Sequence, residues 1–443
     1  MASAKKEAAL TPEERLQAAL VPDWEWPYKL PENWCWTTIK NVATVVTGGT
    51  PAKNNSDYYG GEFPFFKPAD LDAGRHVSEA SEYLSDLGKS VSRIIPAQAT
   101  AVCCIGSIGK CGFLDVEGAT NQQINSAIPY FNALYQYFYM NTEFFTNQLR
   151  NSASATTIAI VNKTKMESCY YPLAPLAEQQ RIVDRIESLF AKLDEAKEKT
   201  QTVVDSFENR RAAILHKAFT GELTAKWREE HGVSIDNWKT TRFDSVAAIR
   251  SNLVDPAEYQ SFPHIAPDNI EKKTGVLLEY HTIAEDGVTS GKNRFYSGQI
   301  LYSKIRPYLS KAVVVDFDGL CSADMYPIEA YQNARCLWYY MLSDEFLLQA
   351  STAGSRSVLP KINQKELSAL TVHLPTNDRE QEEIARILDE LFDKEQQTKE
   401  AAEIVLDQIE LMKKTILARA FRGELGTNDP NEESAVELLK QIF

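Results

Sequence analysis

The sequence predicts an α+β protein in which two mixed α/β domains are separated by two long helices forming an antiparallel coiled coil, with a pseudo-twofold internal repeat. Three observations carry that prediction. Residues 178–223 align with 380–425 at a constant offset of 202 and without a gap, a self-similarity that marks a duplicated structural unit. Within both copies apolar residues recur in alternating steps of four and three, the period of a helix that buries one seam. The segments outside the copies are rich in glycine, proline, aromatic and β-branched residues, as short strands joined by turns require.

In chain order, residues 1–33 read as an N-terminal helical extension, with a short helix over 10–20. Residues 34–174 form the first mixed domain, with strand-like runs at 42–47 and 100–105. A long helix (175–221), a linker (222–237), the second mixed domain (238–374), a second long helix (375–423) and a tail (424–443) follow. Strand-like runs recur in the second domain at 299–302 and 311–315. The domain openings also match in order, Asn33-Trp34 with Val42-Ala43 against Asn237-Trp238 with Val246-Ala247.

The helix copies end alike, Ile214-Leu-His-Lys-Ala-Phe-Thr-Gly-Glu-Leu223 against Ile416-Leu-Ala-Arg-Ala-Phe-Arg-Gly-Glu-Leu425. The seam of the first is expected at Ile182, Ile186, Leu189, Leu193, Val203 and Phe207. That of the second falls at Ile384, Leu388, Leu391, Val405, Ile409 and Ile416, interrupted at Glu395 and Thr398, where water access or a polar cross-contact is expected. Each helix begins after a proline (Pro175, Pro375) and stops at a glycine (Gly221, Gly423), which takes the left-handed conformation that ends helices. About 43 residues at roughly 1.5 Å each give a rod of around 65 Å. Neither helix can bury its seam alone. Equal length and register favour pairing with each other, and an antiparallel pair avoids a long return connection.

Composition sets bounds on function. The chain has 443 residues, 44% of them hydrophobic, enough for two folded domains. The start, Met1-Ala-Ser-Ala-Lys-Lys, leads into charged residues, and no run of eighteen apolar residues occurs, so a soluble cytoplasmic protein is expected. Seven cysteines, with no Cys-x-x-Cys pair, suit buried thiols better than disulfides or a zinc site. The net charge of −14 opposes tight nucleic-acid binding by the chain alone. Yet residues 34–171 hold 10 bases against 11 acids and residues 238–373 hold 14 against 15. The excess acid therefore lies in the termini, the linkers and the last long helix, and near-neutral domains can specify bases while partners neutralise phosphates.

Gly-bounded loops in both domains mix aromatic with amide or basic groups. In the first they offer Thr50, Lys53, Tyr58, Tyr59, Lys67, Ser107, Lys110, Asn121, Gln122 and Gln123. The second offers Lys292, Asn293, Arg294, Lys304, Arg306, Tyr308 and Arg356. Arg and Lys match the acceptor edge of guanine, Asn and Gln the edge of adenine, so these are the candidate DNA contacts.

Pro172-Leu-Ala-Pro-Leu-Ala-Glu-Gln-Gln180, followed by a long helix ending in Ala-Phe-x-Gly-Glu-Leu, resembles the specificity subunit of type I restriction-modification enzymes. The resemblance extends over nearly the whole chain, through Leu30-Pro-Glu-Asn-Trp34, Gly48-Gly-Thr-Pro51, Tyr59-Gly-Gly61, Asn162-Lys163, Ile362-Asn363 and the doubled helix. It implies two target recognition domains, each reading one half of an interrupted double-stranded DNA site, and helices that dock two methyltransferase subunits, with two restriction/translocase subunits in the full complex. It implies no cofactor in this chain; S-adenosylmethionine, ATP and Mg²⁺ would belong to the partner subunits. It also implies that the termini meet, residues 10–33 and 424–443 standing in for the linker at 221–237, with Leu16, Leu20, Leu438, Leu439 and Ile442 packing together or on the helix pair.

Enzymatic readings fail on the residues. No Asn-Pro-Pro-Tyr or Asp-Pro-Pro-Tyr is present to hold a flipped adenine. Gly106-Ser-Ile-Gly109-Lys110 has Cys104 in place of the first glycine of a phosphate loop and Cys111 in place of its hydroxyl residue. The carboxylates of Pro267-Asp268 and Glu271-Lys-Lys273 stand too close in sequence for a two-strand metal site, and the six histidines lack ligand spacing. A two-domain adaptor whose helices dock partners without reading DNA is the alternative.

Overall fold

The structure is a computed structural model that describes residues 11–154, 159–353 and 360–443. Two compact units arise, one combining the described residues up to Lys199 with 405–443, the other spanning 200–404. The long helices Leu176–Phe219 (44 residues) and Asp378–Ala420 (43 residues) each contribute one part to each unit. Gly221 and Gly423 follow them with φ of 79° and 73°, the left-handed stop that their sequence position predicts.

In the first unit the antiparallel strands Cys35–Thr38 and Tyr170–Leu173 bring the two ends of the domain together. A four-stranded antiparallel sheet follows the order Ala43–Thr47, Ile124–Pro129, Thr100–Cys103, Cys111–Phe113. A second sheet sets Tyr59–Phe66 between Glu82–Leu84 and Ala119–Thr120. The helices Ala133–Met140, Glu143–Ser152 and Lys163–Glu167 start where Asn132, Thr142 and Asn162 accept a backbone N–H of the first turn. Trp36, Tyr135, Tyr139 and Phe145 form one core with Ile182 and Ile186 of the first long helix and Leu417 and Phe421 at the end of the second.

The second unit repeats this plan. Trp238–Arg242 pairs with Thr371–Pro375, and the four-stranded order is Ala247–Ile249, Met325–Ala330, Ile300–Ser303, Ala312–Val314. Its other sheet grows to five strands, Leu253–Val254, Lys292–Phe295, Gly319–Cys321, Pro263–Ile265 and His281–Thr282. Phe243, Tyr302, Tyr340 and Phe346 pack with Leu215 and Phe219 of the first long helix and Ile384, Leu388 and Phe392 of the second.

The repeated Glu-Gln dipeptide at the start of each long helix explains why the copies stay alike. Glu178 is fully buried and accepts from Trp34 Nε1 (2.7 Å), Asn428 Nδ2 (2.8 Å) and Thr427 Oγ1 (3.3 Å). Glu380, equally buried, accepts from Trp238 Nε1 (3.0 Å), Asn237 Nδ2 (3.0 Å), Thr224 Oγ1 (2.8 Å) and Arg228 Nη1 (2.7 Å). The glutamines beside them also correspond. Gln179 donates to Ala174 O and accepts from Asn132 N; Gln381 donates to Pro375 O and accepts from Asn333 N. Each carboxylate thus ties a long helix to the first strand of a domain and to a connecting segment, residues 222–237 in one unit and 424–443 in the other.

Those connecting segments are ordered. Residues 222–237 contain the helix Ala225–His231. In the first unit the helices Pro12–Ala19 and Ala435–Lys440 place Leu16, Leu20, Leu438 and Leu439 in the common core. Ala435 N donates to Asn33 O (2.9 Å), and Arg181 grips Glu432 with both terminal nitrogens at 2.7 Å. Ile442, expected in that cluster, is exposed because the helix ends at Lys440; Leu10 lies outside the described residues.

The helices pair antiparallel within each unit. Asp194 meets Lys413 and Lys197 meets Glu410 in the first; Arg210 meets Glu395 (3.0 Å) and Arg211 covers Phe392 in the second. The seam departs from its expected form. Ile182, Ile186, Ile384, Leu388 and Ile409 are buried, while Leu189, Leu193, Phe207, Leu391 and Ile416 are half-buried. Val203 and Val405, expected in the seam, are 38% and 40% exposed. Ile182, Ile186, Ile384 and Leu388 are buried where the helices also pack against a domain core. The interruption foreseen at Glu395 is a cross-helix ion pair, and Thr398 instead donates to Lys394 O one turn back (2.8 Å).

Burial opposes ionisation of Glu380, but the hydrogen bonds from Asn237, Arg228, Thr224 and Trp238 outweigh it and hold the carboxyl below the usual glutamate range. Stability from this group is present above the unfolded-state pKa and is lost as pH falls through the lower folded value. Denaturant unfolding between pH 6 and pH 3 is expected to show a steeper loss for the native chain than for Glu380→Gln. Glu380→Ala, which leaves Arg228 buried without its partner, should cost about 3–5 kcal/mol at neutral pH.

Candidate nucleic-acid interface

In the first domain the loop beginning at Gly48 is laid against the turn at 120–124. Gly48 N donates to Ile124 O (2.9 Å) and Gly49 N to Thr120 O (2.8 Å). A Cβ at Gly48 would stand 2.2 Å from Asn121 O and 2.3 Å from Thr120 O, so only glycine permits this approach. The Thr50 hydroxyl donates to Gln122 Oε1 (2.5 Å), and Tyr59 OH donates to Pro51 O (2.7 Å). The structure therefore brings Thr50, Tyr59 and Gln122 into one surface, with Lys53 exposed and Tyr58 half-exposed.

Asn121 does not fit the role first assigned to it. It is 8% exposed and spends both ends of its amide on Gln123, donating to Oε1 (3.1 Å) and accepting from the backbone N (3.0 Å). It shapes the turn, and it keeps Gln123 bound. Lys67 is paired with Glu82 (3.0 Å) and Lys110 with Asp72 (2.5 Å). Ser107 is exposed on the turn between strands Thr100–Cys103 and Cys111–Phe113, where Gly106 and Gly109 have φ of 80° and 89°. That turn borders a cavity of about 760 Å³ whose lining includes Lys110, Asn147, Arg150 and Lys414. Arg93, Arg150 and Lys414 escaped sequence reasoning. Arg93, which donates to Thr47 O (2.6 Å), and Arg150 stand outside Gly-bounded loops, and Lys414 sits in a helix whose period suggested only packing.

In the second domain the candidates Lys292, Asn293 and Arg294 separate according to burial. Lys292 is 7% exposed, and its ammonium donates to Ser290 O (3.0 Å) and Oγ (2.7 Å); burial holds its pKa below the ordinary lysine value. Asn293 is 1% exposed, donates to Met325 O (3.0 Å) and accepts from Ser251 Oγ (3.2 Å). Both are frame residues, since a buried polar group needs internal partners. Arg294 is half-exposed among the rings of Tyr296 (4.8 Å), Tyr259 (5.4 Å) and Phe262 (5.9 Å).

Lys304 donates to Ala323 O (2.6 Å) and, with Lys361, flanks Asp324. Arg306 and Tyr308 are exposed on the turn equivalent to that of Ser107, since Val102 faces Cys111 as Tyr302 faces Ala312. Arg306 has φ of 48°, a left-handed backbone where the first domain has Gly106. Arg356 lies outside the described residues.

All seven cysteines are buried free thiols, and burial pushes Cys35, Cys104, Cys111, Cys169 and Cys321 up to about 12. Among the described residues no group of three or more His, Cys, Asp or Glu side chains is placed to hold a metal, and no helix is long and apolar enough to cross a membrane. The site chemistry is that of amides, hydroxyls, rings and mostly paired cations displayed on glycine-shaped loops. Such groups recognise hydrogen-bonding edges.

Comparison with known proteins gives a consistent result. The family model described as type I restriction modification DNA specificity domain matches residues 31–204 and again 235–405. The EcoDI specificity subunit of Escherichia coli is 34% identical over 456 aligned positions, covering 94% of this chain and 95% of that protein. The EcoKI specificity subunit of Escherichia coli strain K12 is 22% identical, covering 94% and 96%. Among solved structures, a chain from a study of complex assembly and conformational transition of the type I R-M system superposes with a TM-score of 0.70 at 18% identity, covering 90% of this chain and all of that one. The HsdS subunit of Thermoanaerobacter tengcongensis has a TM-score of 0.58 at 18% identity with the same coverage.

The loop platform makes a direct prediction. Gly48→Ala should force the loop off the 120–124 turn, at a cost of about 1–3 kcal/mol from overpacking, whereas Gly49→Ala, where an added Cβ meets nothing within 4 Å, should leave the denaturation midpoint within experimental error.

Proposed function

Since the chain belongs to the DNA specificity subunits of type I restriction-modification systems and is the non-catalytic component of such an enzyme, we propose that its two recognition domains each read one half of an interrupted double-stranded target. Residues 34–174 take one half-site and residues 238–374 the other. The paired helices space the domains and offer docking surfaces to two methyltransferase subunits, which two restriction/translocase subunits join, in the cytoplasm. S-adenosylmethionine, ATP and Mg²⁺ act in those partners.

The observation that carries this reading is one frame built twice with different display loops. Trp34–Glu178 and Trp238–Glu380 make the same buried bond, and both four-stranded sheets have the same order. The displayed groups differ: Thr50, Lys53 and Gln122 stand on one domain, Arg294, Arg306 and Tyr308 on the other. A common frame supports a common operation, and unlike loops support unlike half-sites. Several lysines and arginines near these loops, Lys67, Lys110, Arg250, Lys304 and Lys361, are already paired with acids. Phosphate neutralisation must then come largely from partners, and DNA binding by the isolated chain should be weak, with a shallow salt dependence because few counterions are released.

Co-expression with the cognate methyltransferase subunit, followed by single-molecule mapping of methylated adenines, is expected to reveal an interrupted two-part motif. Replacing residues 34–171 by the equivalent segment of a relative should change one half only. Methylation independent of this chain, or a motif indifferent to the exchange, would leave an adaptor role in its place.

A further inference from the structure

Arg294 is a cation that the frame of the second domain does not use. It lies in the strand Lys292–Phe295, paired between Leu253–Val254 and Gly319–Cys321. Its neighbours Lys292 and Asn293 are buried and satisfied by the fold, whereas Arg294 is half-exposed as a residue and its guanidinium is surrounded by Tyr259, Phe262 and Tyr296. Its hydrogen bonding is poor. Nη1 reaches only Tyr259 OH at 3.5 Å, and Nε is buried without an acceptor.

Several other cations of this domain have carboxylates, Arg250 with Glu329 (2.6 Å), Arg335 with Asp389 and Lys361 with Asp324 (3.3 Å). Among the described residues no acid lies within ion-pair distance of Arg294. Rings beside a guanidinium attract it and restrict its plane, and a restricted plane matters most when two parallel N–H groups must meet two acceptors in one plane. Guanine presents that pair, O6 and N7, in the major groove. A phosphate can also accept two parallel guanidinium N–H groups, but such a contact would position the duplex without reading its sequence.

Resting on the functional reading above, we propose that Arg294 is a specificity-determining residue that reads a guanine in the half-site assigned to residues 238–374, its plane set by Tyr259, Phe262 and Tyr296. Lys292 and Asn293 support the strand and read nothing.

The test uses the full chain in its methyltransferase complex, comparing the native chain with Arg294→Met, which keeps contact with the rings, and Arg294→Lys. Methylation mapping should show one guanine of that half-site becoming degenerate in Arg294→Met, its discrimination falling roughly 10- to 100-fold, with the other half-site unchanged. Arg294→Lys should keep a reduced preference. Replacing that guanine by 7-deazaguanine, which lacks the N7 acceptor, should slow methylation by the native complex roughly tenfold or more and leave the Met variant indifferent. A purely structural Arg294 would not produce that difference.

Three results overturn the proposal: an unchanged motif in a folded Arg294→Met complex, equal weakening on every sequence as for a phosphate contact, or a half-site without guanine. Should Arg294→Met fail to assemble, the Lys variant and the 7-deazaguanine arm on the native complex decide. An interrupted motif indifferent to Arg294 removes this inference alone. Loss of the interrupted motif in the native chain removes the functional reading, and the assignment of Arg294 with it.

Discussion

A carboxylate withdrawn from water destabilises a fold unless several donors converge on it, and the two units of this protein are organised around such carboxylates. Glu178 and Glu380 stand in the first turn of each long helix, where the helix dipole also favours negative charge. Each is reached by the indole of the tryptophan that opens a domain and by donors from a connecting segment. Three parts of the chain distant in sequence must arrive together to satisfy one side chain. Thr427 in the tail does for Glu178 what Thr224 in the central segment does for Glu380.

The rest of each unit follows from that tie. With the helix fixed at its first turn, Ile182 and Ile186 in one unit and Ile384 and Leu388 in the other enter the domain core. Leu417 and Phe421, or Leu215 and Phe219, enter the same core from the opposite long helix. Those helix ends are buried in a core, whereas Val203 and Val405 are exposed.

Display loops obey a different constraint. Gly48 lets the loop after it sit on the backbone of residues 120–124, and Gly106 turns the hairpin that shows Ser107. Backbone bonds from Gly48 and Gly49 carry much of the first loop's approach to residues 120–124, with the Thr50 hydroxyl and Tyr59 OH adding side-chain bonds to Gln122 and Pro51. Where a side chain itself closes the turn, as Asn121 does with Gln123, it is not available for a ligand. The near balance of acids and bases in both domains is also spatial, since Lys67, Lys110 and Lys361 are tied to acids of their own domains.

The sequence by itself determined the duplicated plan and the two long helices with their glycine stops, which depend on a period or a local conformational preference, the antiparallel pairing, which follows from the lengths of the connections, and the resemblance to the family, which its motifs carry. That Leu16, Leu20, Leu438 and Leu439 share a core was implied by the family resemblance and not by their spacing. Which seam residues are enclosed, that Glu178 and Glu380 are the hubs, and which loop residues face outward were decided by tertiary structure. Lys292, Asn293 and Arg294 are adjacent and chemically alike as candidates, yet two are buried in the frame and one is displayed. Periodicity says that a strand has two faces; only the neighbours packed against each face, here the rings of Tyr259, Phe262 and Tyr296 and the carbonyls of Ser290 and Met325, determine which side chain keeps a free edge for another molecule.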